Sequence, residues 1–448
     1  MLSQRENELV VRTGPSTPLG ELMRRYWIPA LLSRELSAAD CPPVRVKLLG
    51  ERLVGFRDTQ GRVGILDEFC AHRRASLFLG RNEECGLRCV YHGWKFDVEG
   101  NCLDTPNEPP ELDFKHKIHL KAYPTVETGG VIWAYMGPRD KMPAAPKFEW
   151  TQVPETHRHV SKVWEECNWL QAMEGGLDSA HTAFLHRKLT ADSSKQGISP
   201  KSYKVRAMAP KLEIDLTDYG YMYASVRSLV EGDYVRIYHY VMPFHQLRSF
   251  QLGGGGVGEK RPIIKGHMWV PMDDENCMVY NWTYSFGDDS LREEDRIEKG
   301  IGNGPDDVDF ANNFRKKRHK DNNWLIDRDA QKVASYTGIF GTNTQDHAIQ
   351  ESMGSIVDRT QEHLGSTDRA IIMARRLILK AANTVQEGGS PPGWDPDYYS
   401  IRAIEKILPT GTNWREALKK EIHGPENVQM VNDRVDWVSP LRKFEWVT

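Results

Sequence analysis

The sequence lacks several features that would assign it to a class at once. Among its 448 residues no apolar run approaches the roughly eighteen residues that a membrane-spanning helix requires. The net charge is −3, so there is no basic excess of the kind that binds nucleic acid. No internal repeat or low-complexity segment is present. We therefore expect an ordinary globular protein, with neither a membrane nor a nucleic acid as partner.

Cysteine is scarce and odd in number. Seven cysteines in so long a chain do not make a disulfide framework. The first residues, MLSQRENELVVR, contain no apolar stretch of the kind that directs secretion. We expect a cytoplasmic protein in which five cysteines are free thiols in a reducing environment. These are Cys41, Cys85, Cys102, Cys167 and Cys277.

The two remaining cysteines each lie close to a histidine, in Cys70-Ala71-His72 and in Cys89-Val90-Tyr91-His92. Zinc fingers usually place like ligands together, whereas each pair here supplies one cysteine and one histidine. In a Rieske centre each iron of the [2Fe–2S] cluster takes two like ligands, cysteines on one iron and histidines on the other. The pattern favours a Rieske cluster over its alternative, a structural zinc site.

A second group of metal-binding residue types lies in a stretch of helical pattern, about residues 167–188. Glu174, Asp178 and His181, together with Gln171, would share one face of this otherwise apolar helix. Buried carboxylates are costly unless they are paired or bound to a metal. His181 and His186 could bind one ion only if the helix ends or distorts between them. The alternative is a solvated acidic face with two unrelated histidines.

A Rieske cluster only transfers electrons, so a second site is needed to use them. Two histidines and one carboxylate on one face of an iron form the facial triad of non-haem oxygenases, which leaves positions open for O₂. His181 and His186 can supply the imidazoles. The carboxylate could be Asp178, Glu174 or an acidic residue far downstream.

Periodicity predicts the α+β class. Residues 1–43 form an arm with one helix, over residues 18–26. Short alternating strands over 44–145 predict a small antiparallel β domain whose connecting loops carry the cysteine–histidine pairs. Residues 146–448 predict a larger antiparallel sheet with helices. This sheet begins with a strand at 203–208, and the later helices are expected at 291–300, 349–357 and 367–385.

The motifs Cys-x-His…Cys-x-x-His-Gly-Trp and Asp-x-x-His-x-x-x-x-His together resemble those of the Rieske non-haem iron aromatic-ring oxygenases. The tracts at 24–27, 68–69, 91–96 and 174–186 are most similar to the phthalate 4,5-dioxygenase branch. That branch has one type of oxygenase (alpha) subunit, of about this length, without a small β subunit. The resemblance spans essentially the whole chain and implies a helix-grip-like catalytic domain.

The resemblance implies the metal ligands one by one. Cys70 and Cys89 would bind one iron of the cluster, and His72 and His92 the other. The mononuclear Fe(II) would be bound by His181, His186 and Asp346, with Asp327, Asp329 and Asp358 as competing candidates for the carboxylate.

The resemblance also implies supporting roles. Asp178 would bridge an iron-bound histidine to His92 of the neighbouring subunit, which requires a ring of subunits, a homotrimer or stacked trimers. Asn168 and Gln171 would hold the iron ligands by hydrogen bonds; the alternative for both is ordinary hydrogen bonding within the helix.

The implied activity is that of a terminal oxygenase. It would use O₂ and electrons from a separate NAD(P)H-dependent reductase, with or without a ferredoxin, to dihydroxylate a carboxylated, phthalate-like aromatic substrate. The alternative is O-demethylation or hydroxylation of a methoxylated aromatic acid. Rivals from other classes are a Rieske electron carrier with an inert second domain and a zinc-stapled binding module.

Three further sequence patterns bear on cofactor, reductase and substrate binding. Residues 253–258 satisfy G-x-G-x-x-G, but a strand-like segment follows, so a loop is expected rather than a nicotinamide site. The basic run at 315–320 predicts a solvated helical face, or else a docking site for the reductase. A substrate carboxylate would need a cation, and the candidates on the catalytic sheet are Arg206, Arg236, His239, His245 and Arg248.

Overall fold

A computed structural model of the chain describes residues 2–192, 197–252, 262–298, 300–394 and 401–423, so the glycine run at 253–258 lies outside the described residues. The α-helices are α1 (Gln4–Val11), α2 (Pro18–Met23), α3 (Glu149–Gln152), α4 (Trp169–Leu177), α5 (Tyr203–Arg206), α6 (Glu293–Arg296), α7 (Arg328–Val333), α8 (Thr342–Ser352), α9 (Arg369–Gln386), α10 (Trp414–Ala417) and α11 (Lys419–Ile422). Within these described ranges, none of the helices has the length and apolarity to cross a bilayer.

The N-terminal arm is more ordered than predicted. It contains α1 as well as α2, because Ser3 and Glu6 form a reciprocal capping box at the start of α1. The predicted helix at 18–26 is shorter, and Thr17 caps it by accepting a hydrogen bond from the Gly20 amide at 3.0 Å. It ends at Met23 because the next residues turn into a strand that is buried along its whole length.

The first part of the chain forms three small antiparallel sheets. Their strands are β1 (Trp27–Leu32), β2 (Val44–Leu48), β3 (Glu51–Arg57), β4 (Val63–Asp67), β5 (Arg81–Glu83), β6 (Gly86–Arg88), β7 (Lys95–Phe96), β8 (Cys102–Asp104), β9 (Ala122–Tyr123), β10 (Thr125–Thr128) and β11 (Val131–Tyr135). The sheet orders are β1-β11-β10, β2-β3-β4-β9 and β5-β6-β7-β8. The two cysteine–histidine pairs lie after β4 and between β6 and β7, on connecting loops as predicted.

The second part is built on one large sheet. Its strands are β12 (Arg158–Glu165), β13 (Lys211–Leu216), β14 (Gly220–Leu229), β15 (Gly232–Val241), β16 (His245–Ser249), β17 (Ile263–Pro271), β18 (Cys277–Ser285), β19 (Val308–Asp309), β20 (Arg315–Lys316) and β21 (Ile404–Leu408). The order is β13-β14-β15-β16-β17-β18-β12-β20-β19, with β21 paired to β15. Strands β15, β17 and β18 are buried almost throughout because helices and loops cover the sheet.

Two local predictions on this sheet are wrong. The strand predicted at 203–208 is instead the short helix α5, because the Ser202 hydroxyl accepts a hydrogen bond from the Val205 amide and caps a helical turn. The basic run at 315–320 is not a helical face: Arg315 and Lys316 form strand β20, and Lys316 is buried.

The cysteine–histidine loops have a hydrophobic core of their own. It is separate from the main core, which runs from α1 and α2 through β1 and β11 to the large sheet. The small core includes Val54, Phe56, Leu87 and Phe96. Because the loops that it supports are short, this packing fixes where their side chains point.

A buried ionic network ties the first helix of the chain to helix α4. Glu174 of α4 accepts hydrogen bonds from Arg359 at 3.1 Å and from Arg375 at 2.6 Å. The same Arg359 also donates to the side-chain oxygen of Asn7 in α1 at 3.0 Å. Breaking a buried pair of this kind by removing one partner typically costs 3–5 kcal/mol, so α1 and α4 are held together firmly.

Candidate metal centres and active-site cavity

The two cysteine–histidine loops are closed turns of the backbone. The Cys70 amide donates to the Ala75 carbonyl at 2.9 Å, and the Cys89 amide donates to the Trp94 carbonyl at 2.8 Å. Gly93 turns the second loop at φ +79°, and a Cβ there would lie 2.6 Å from Pro106. The two turns therefore present their ligand side chains toward each other from opposite sides.

The side chains at this site suit an iron–sulfur cluster. Both cysteines are buried, and the rings of His72 and His92 lie 4.4 Å apart between centroids. The Nδ1 atom of His72 is buried without a hydrogen-bond partner in the described part of the chain, an arrangement that is costly unless a metal takes its lone pair. Trp94 stacks on the His72 ring at 4.5 Å and fixes its plane. Burial, with the neighbouring Cys89 thiol, raises the pKa of Cys70 to about 12, and a bound iron would take the place of the thiol proton.

Helix α4 ends before either histidine of the second site. It stops at Leu177 and not near residue 188, because Asp178 takes an extended conformation. Gly176, in the last turn, allows the Trp269 ring to approach so closely that a Cβ would lie 2.1 Å from it. The Asp178 carboxylate then accepts from the Ala180 amide at 2.6 Å. It also accepts from the His181 amide at 3.3 Å, and so fixes the backbone just before a single 3₁₀ turn, His181–Ala183.

This break in the helix brings the two histidines together. The ring centroids of His181 and His186 are 5.1 Å apart. The nearer carboxylate oxygen of Asp346, on α8, lies 3.4 Å from Nε2 of His181 and 3.2 Å from Nε2 of His186. One ligand atom from each of the three residues lies within 4.8 Å of the others. Helix α8 begins at Thr342 and not near residue 349 as predicted, and so it carries Asp346.

Hydrogen bonds fix the orientation of both imidazoles. The Nδ1 atom of His181 lies 3.2 Å from an oxygen of Asp178, which can only accept. The Nδ1 atom of His186 lies 2.8 Å from Oε1 of Gln345, whose Nε2 donates to the Ile339 carbonyl. Both rings therefore carry a proton on Nδ1 and turn the Nε2 lone pair toward Asp346. Sequence reasoning missed Gln345, although it directly precedes Asp346.

Charge at this site favours a bound cation. Burial would raise the pKa of Asp346, but the imidazoles of His186 and His181 outweigh burial and lower it. Burial would likewise lower the pKa of His181, but Asp178 and Asp346 outweigh it and raise the pKa to about 10. A divalent metal would take the place of the second imidazole proton, the one that His181 would otherwise carry on Nε2. Two imidazoles and one carboxylate are the donor set of a non-haem Fe(II) site.

The other carboxylates weighed from sequence lie elsewhere. Glu174 is bound by two arginines, as described above. Asp327 caps α7 by accepting from Ala330 at 2.8 Å, and Asp358 caps a 3₁₀ turn by accepting from Thr360 at 3.0 Å. The side chain of Asp329 is 92% exposed.

Asn168 and Gln171 do not take the place predicted for them. Asn168 caps the start of α4, and its amide donates to the Asp274 carbonyl at 2.7 Å. Gln171 donates to the Gly354 carbonyl at 2.7 Å. Both amides thus bind backbone carbonyls of segments packed on α4, and the prediction that they hold the iron ligands is wrong; Gln345 has that position for His186.

A cavity of about 550 Å³ opens beside the three side chains that could hold the metal. Its walls come from the ends of α4 and α8, from α5, and from strands β15 to β18. Asp178, His181, His186 and Asp346 all reach it, and Trp269 and Val279 supply apolar wall. The volume suits a single aromatic ring with substituents.

Two cations on the cavity wall have no acidic partner among the residues that the structure describes. The ammonium of Lys204, on α5, makes neither an ion pair nor a hydrogen bond with them, and the buried Nε of Arg248, on β16, lacks an acceptor. Burial and neighbouring Arg236 hold the pKa of Lys204 well below its usual value and lower that of Arg248 to about 10. An anion in the cavity would stabilise both charged forms.

The remaining cationic candidates from sequence have other roles. Arg236 lines the cavity, but its guanidinium donates to the Tyr238 hydroxyl at 3.0 Å and the Ser249 carbonyl at 2.8 Å. Arg206 lies at the surface and pairs with Glu231. His239 binds the Tyr219 hydroxyl at 2.7 Å, and His245 packs against Phe148 at 4.8 Å. Sequence reasoning missed Lys204, which lies on α5 two residues before the candidate Arg206.

A paired cysteine–histidine site on a small β domain, together with a two-histidine, one-carboxylate site on a large sheet, defines the class of two-centre iron oxygenases.

Comparison with known proteins agrees with this class. A family described as "LigXa C-terminal domain like" matches residues 134–436, and one described as "Rieske [2Fe-2S] domain" matches residues 26–124. The oxygenase subunit of 3-chlorobenzoate-3,4-dioxygenase from Comamonas testosteroni is 39% identical over 95% of this chain and 99% of its own. The oxygenase subunit of phthalate 4,5-dioxygenase from Pseudomonas putida is 35% identical over 96% and 98%. Among solved structures, NdmA of Pseudomonas putida CBB5 with caffeine shares the fold, with a TM-score of 0.58 at 18% identity over 87% of this chain and 98% of that one.

The chain belongs to the Rieske non-haem iron oxygenases, as an oxygenase (alpha) subunit similar to those of the phthalate 4,5-dioxygenase branch. The predictions of family, α+β fold class and enzyme class are thereby confirmed. Its cofactors are a Rieske [2Fe–2S] cluster and a mononuclear iron. It is the terminal oxygenase of a system in which a separate reductase or ferredoxin supplies electrons.

Proposed function

We propose that this oxygenase acts on an aromatic acid and dihydroxylates its ring. The observation that carries the proposal is the pair Lys204 and Arg248, two cations that have no acidic partner in the described part of the chain. They lie on the wall of a cavity that His181, His186 and Asp346 also reach. A carboxylate can satisfy both cations, while the apolar wall at Trp269 and Val279 accepts the ring. The relatives that act on chlorobenzoate and phthalate, both aromatic acids, support the same class of substrate.

We further propose the division of labour along the chain. After an N-terminal arm at 1–43, residues 44–145 form the electron-transfer domain, with Cys70, Cys89, His72 and His92 as cluster ligands. Residues 146–448 form the catalytic domain, with His181, His186 and Asp346 as iron ligands. When bound, the cluster supplies single electrons and the iron activates O₂.

Each neighbouring side chain then has a role of its own. Asp178 accepts the Nδ1 proton of His181 and Gln345 accepts that of His186, so that both Nε2 atoms stay available to iron. Lys204 and Arg248 orient the acid, and Trp269 keeps water away from the ring. Because these side chains hold the substrate in one orientation, its reaction becomes effectively intramolecular.

The subunits are proposed to assemble as a homotrimer, alone or stacked. Asp178 is partly exposed, at 20% of its side chain, and can therefore meet a second subunit. Beside His92, Val90 and Tyr91 are 57% and 55% exposed, an apolar surface suited to being covered. We infer that His92 of one subunit lies against Asp178 of the next, with NAD(P)H as the source of the electrons through a reductase.

A substrate screen tests the proposed activity. The holoenzyme, supplied with a surrogate reductase, is offered benzoate, phthalate and chloro- and methoxybenzoates, and O₂ uptake, cis-dihydrodiol and formaldehyde are measured together. We expect O₂ uptake coupled to dihydrodiol with at least one acid. Formaldehyde without dihydrodiol would instead indicate O-demethylation. Coupled turnover of neutral aromatics but of none of the acids would overturn the proposal.

A substitution of Arg248 tests the recognition of the carboxylate. We expect Arg248→Gln to raise KM for the acid by about 10- to 100-fold, since a hydrogen bond to a charged group contributes about 1.5–3 kcal/mol. Arg206→Gln is the matched control, because Arg206 pairs with Glu231 at the surface, and its KM should be unchanged. Equal effects of the two substitutions would contradict an anchoring role for Arg248.

A further inference from the structure

His267 on β17 is a histidine of the cavity wall that takes no part in the metal site. Its side chain is buried, 5% of the residue being exposed, and its ring lies 5.2 Å from that of Trp269. It is directly opposite Asn281 of β18 in the sheet register. One ring nitrogen, Nδ1, lies 2.7 Å from Oδ1 of Asn281. The other, Nε2, has no hydrogen-bond partner among the residues that the structure describes.

The hydrogen bonds around Asn281 determine which nitrogen of His267 carries the proton. The backbone carbonyl of Val279 can only accept, so the Asn281 atom that faces it is the donor Nδ2. The oxygen of the Asn281 side chain therefore faces the other way, where it accepts from Nδ2 of Asn343 at 3.1 Å. An amide oxygen can only accept. Its hydrogen bond with Nδ1 of His267 therefore requires that Nδ1 carry the proton.

A neutral imidazole with its proton on Nδ1 has a bare lone pair on Nε2. Burial, together with nearby Arg248, keeps the pKa of His267 well below its usual value, in accord with a neutral ring. The cavity thus contains a fixed acceptor at His267 in addition to the donors Lys204 and Arg248. A ligand that fills the cavity displaces the water that can donate to this atom, and a ligand that brings a donor of its own avoids the cost of leaving the acceptor unpaired.

We propose that Nε2 of His267 accepts a hydrogen bond from a hydroxyl group on the substrate, so that the preferred substrate is a hydroxylated aromatic acid. The inference rests on the proposed function and narrows its substrate class. The carboxylate would bind Lys204 and Arg248, and the hydroxyl would donate to His267. His267 is then a residue that determines specificity, because an analogue without the donor leaves Nε2 unsatisfied.

The test compares ligands that differ only in this donor. Calorimetry with the holoenzyme measures the Kd of benzoate, of the three hydroxybenzoate isomers and of the three methoxybenzoate isomers. A methoxy oxygen has no proton to donate. We expect at least one hydroxybenzoate to bind at least about 10-fold more tightly than benzoate and than its own methoxy analogue. Equal affinities across the series would overturn the proposal.

The variant His267→Asn provides the second half of the test. An asparagine amide can still donate to Asn281 from near the position of Nδ1, but it has no atom at the position of Nε2. We expect the preference for the hydroxyl group to fall to within about 2-fold, with the Kd of benzoate no higher than in wild type, because the variant has no Nε2 that benzoate would leave unpaired. Iron content and the optical spectrum of the cluster verify folding. A preference that survives in His267→Asn would overturn the proposal.

Asn281→Ala is a second variant in case His267→Asn does not fold. It removes the group that fixes the proton on Nδ1, so the preference for a donor should again weaken; an unchanged preference would contradict the role assigned to the network. Binding of benzoate without any advantage for hydroxybenzoates would refute only the role of His267. Failure of every acid to bind would refute the aromatic-acid proposal, and this one with it.

Discussion

Substitution of Asp346 by alanine is expected to release the mononuclear iron and abolish turnover, while the Rieske cluster stays in place. Asp346 supplies the only carboxylate in the described three-residue site, with its oxygen 3.2 Å and 3.4 Å from the two imidazole Nε2 atoms. Two neutral imidazoles alone neither balance the charge of the metal nor complete its facial set. Iron analysis should fall from about three irons per chain to about two, with the cluster spectrum unchanged.

Two matched controls make this result specific. Asp329→Ala and Asp358→Ala remove the same group from carboxylates that were competing candidates beside the preferred Asp346. Asp329 is largely exposed and Asp358 caps a turn, so both variants should retain about three irons per chain and wild-type turnover. Loss of iron in Asp358→Ala, with retention in Asp346→Ala, would show that the carboxylate ligand has been misassigned.

Substitution of Asp178 by asparagine is expected to lower kcat by at least about 100-fold while both metal centres remain occupied. The asparagine oxygen can still accept from the Ala180 amide. Its NH₂ group, however, would face Nδ1–H of His181, where the carboxylate now accepts. The imidazole then loses its fixed tautomer and orientation, and the proposed path from His92 of the next subunit loses its acceptor.

Iron content, the cluster spectrum and single-turnover oxidation of a pre-reduced cluster separate this effect from simple loss of metal. We expect iron content and spectrum to match wild type and electron transfer out of the cluster to be slow. Turnover within about 2-fold of wild type would refute the bridging and orienting role of Asp178.

Candidate metal ligands could be proposed from sequence because their chemistry restricts residue type and spacing together. One cysteine and one histidine in each of two loops suit a Rieske cluster better than a zinc finger. His181 and His186 could be paired only if the helix ended or distorted between them, and in the structure it ends even earlier, at Leu177. The fold class followed from periodicity in the same way, since short alternating strands and longer helical stretches occupy different parts of the chain.

The parts of the site that could not be predicted from sequence depend on contacts between distant segments. Gln345 becomes a partner of His186 only when α8 packs beside the 3₁₀ turn. Lys204 reaches the cavity only because Ser202 starts a helix where alternation had predicted a strand. The tautomer of His267 depends on Asn281 and Asn343, which belong to two other elements. Polar residues that meet at the site from different elements show no regular spacing in the sequence. Tertiary packing brings them together, not the periodicity of one helix or strand.

The network of Asn7, Arg359 and Glu174 limits how such oxygenases can be recombined. The helix that leads to the metal-binding turn is clamped by an arginine that also holds the first helix of the chain. A chimera that exchanges only the catalytic part at the boundary between the domains would therefore pair this arginine with a foreign N-terminus. To keep the clamp, a chimera has to take the N-terminal helix and the catalytic part from the same parent. Only the electron-transfer domain between them can then be exchanged.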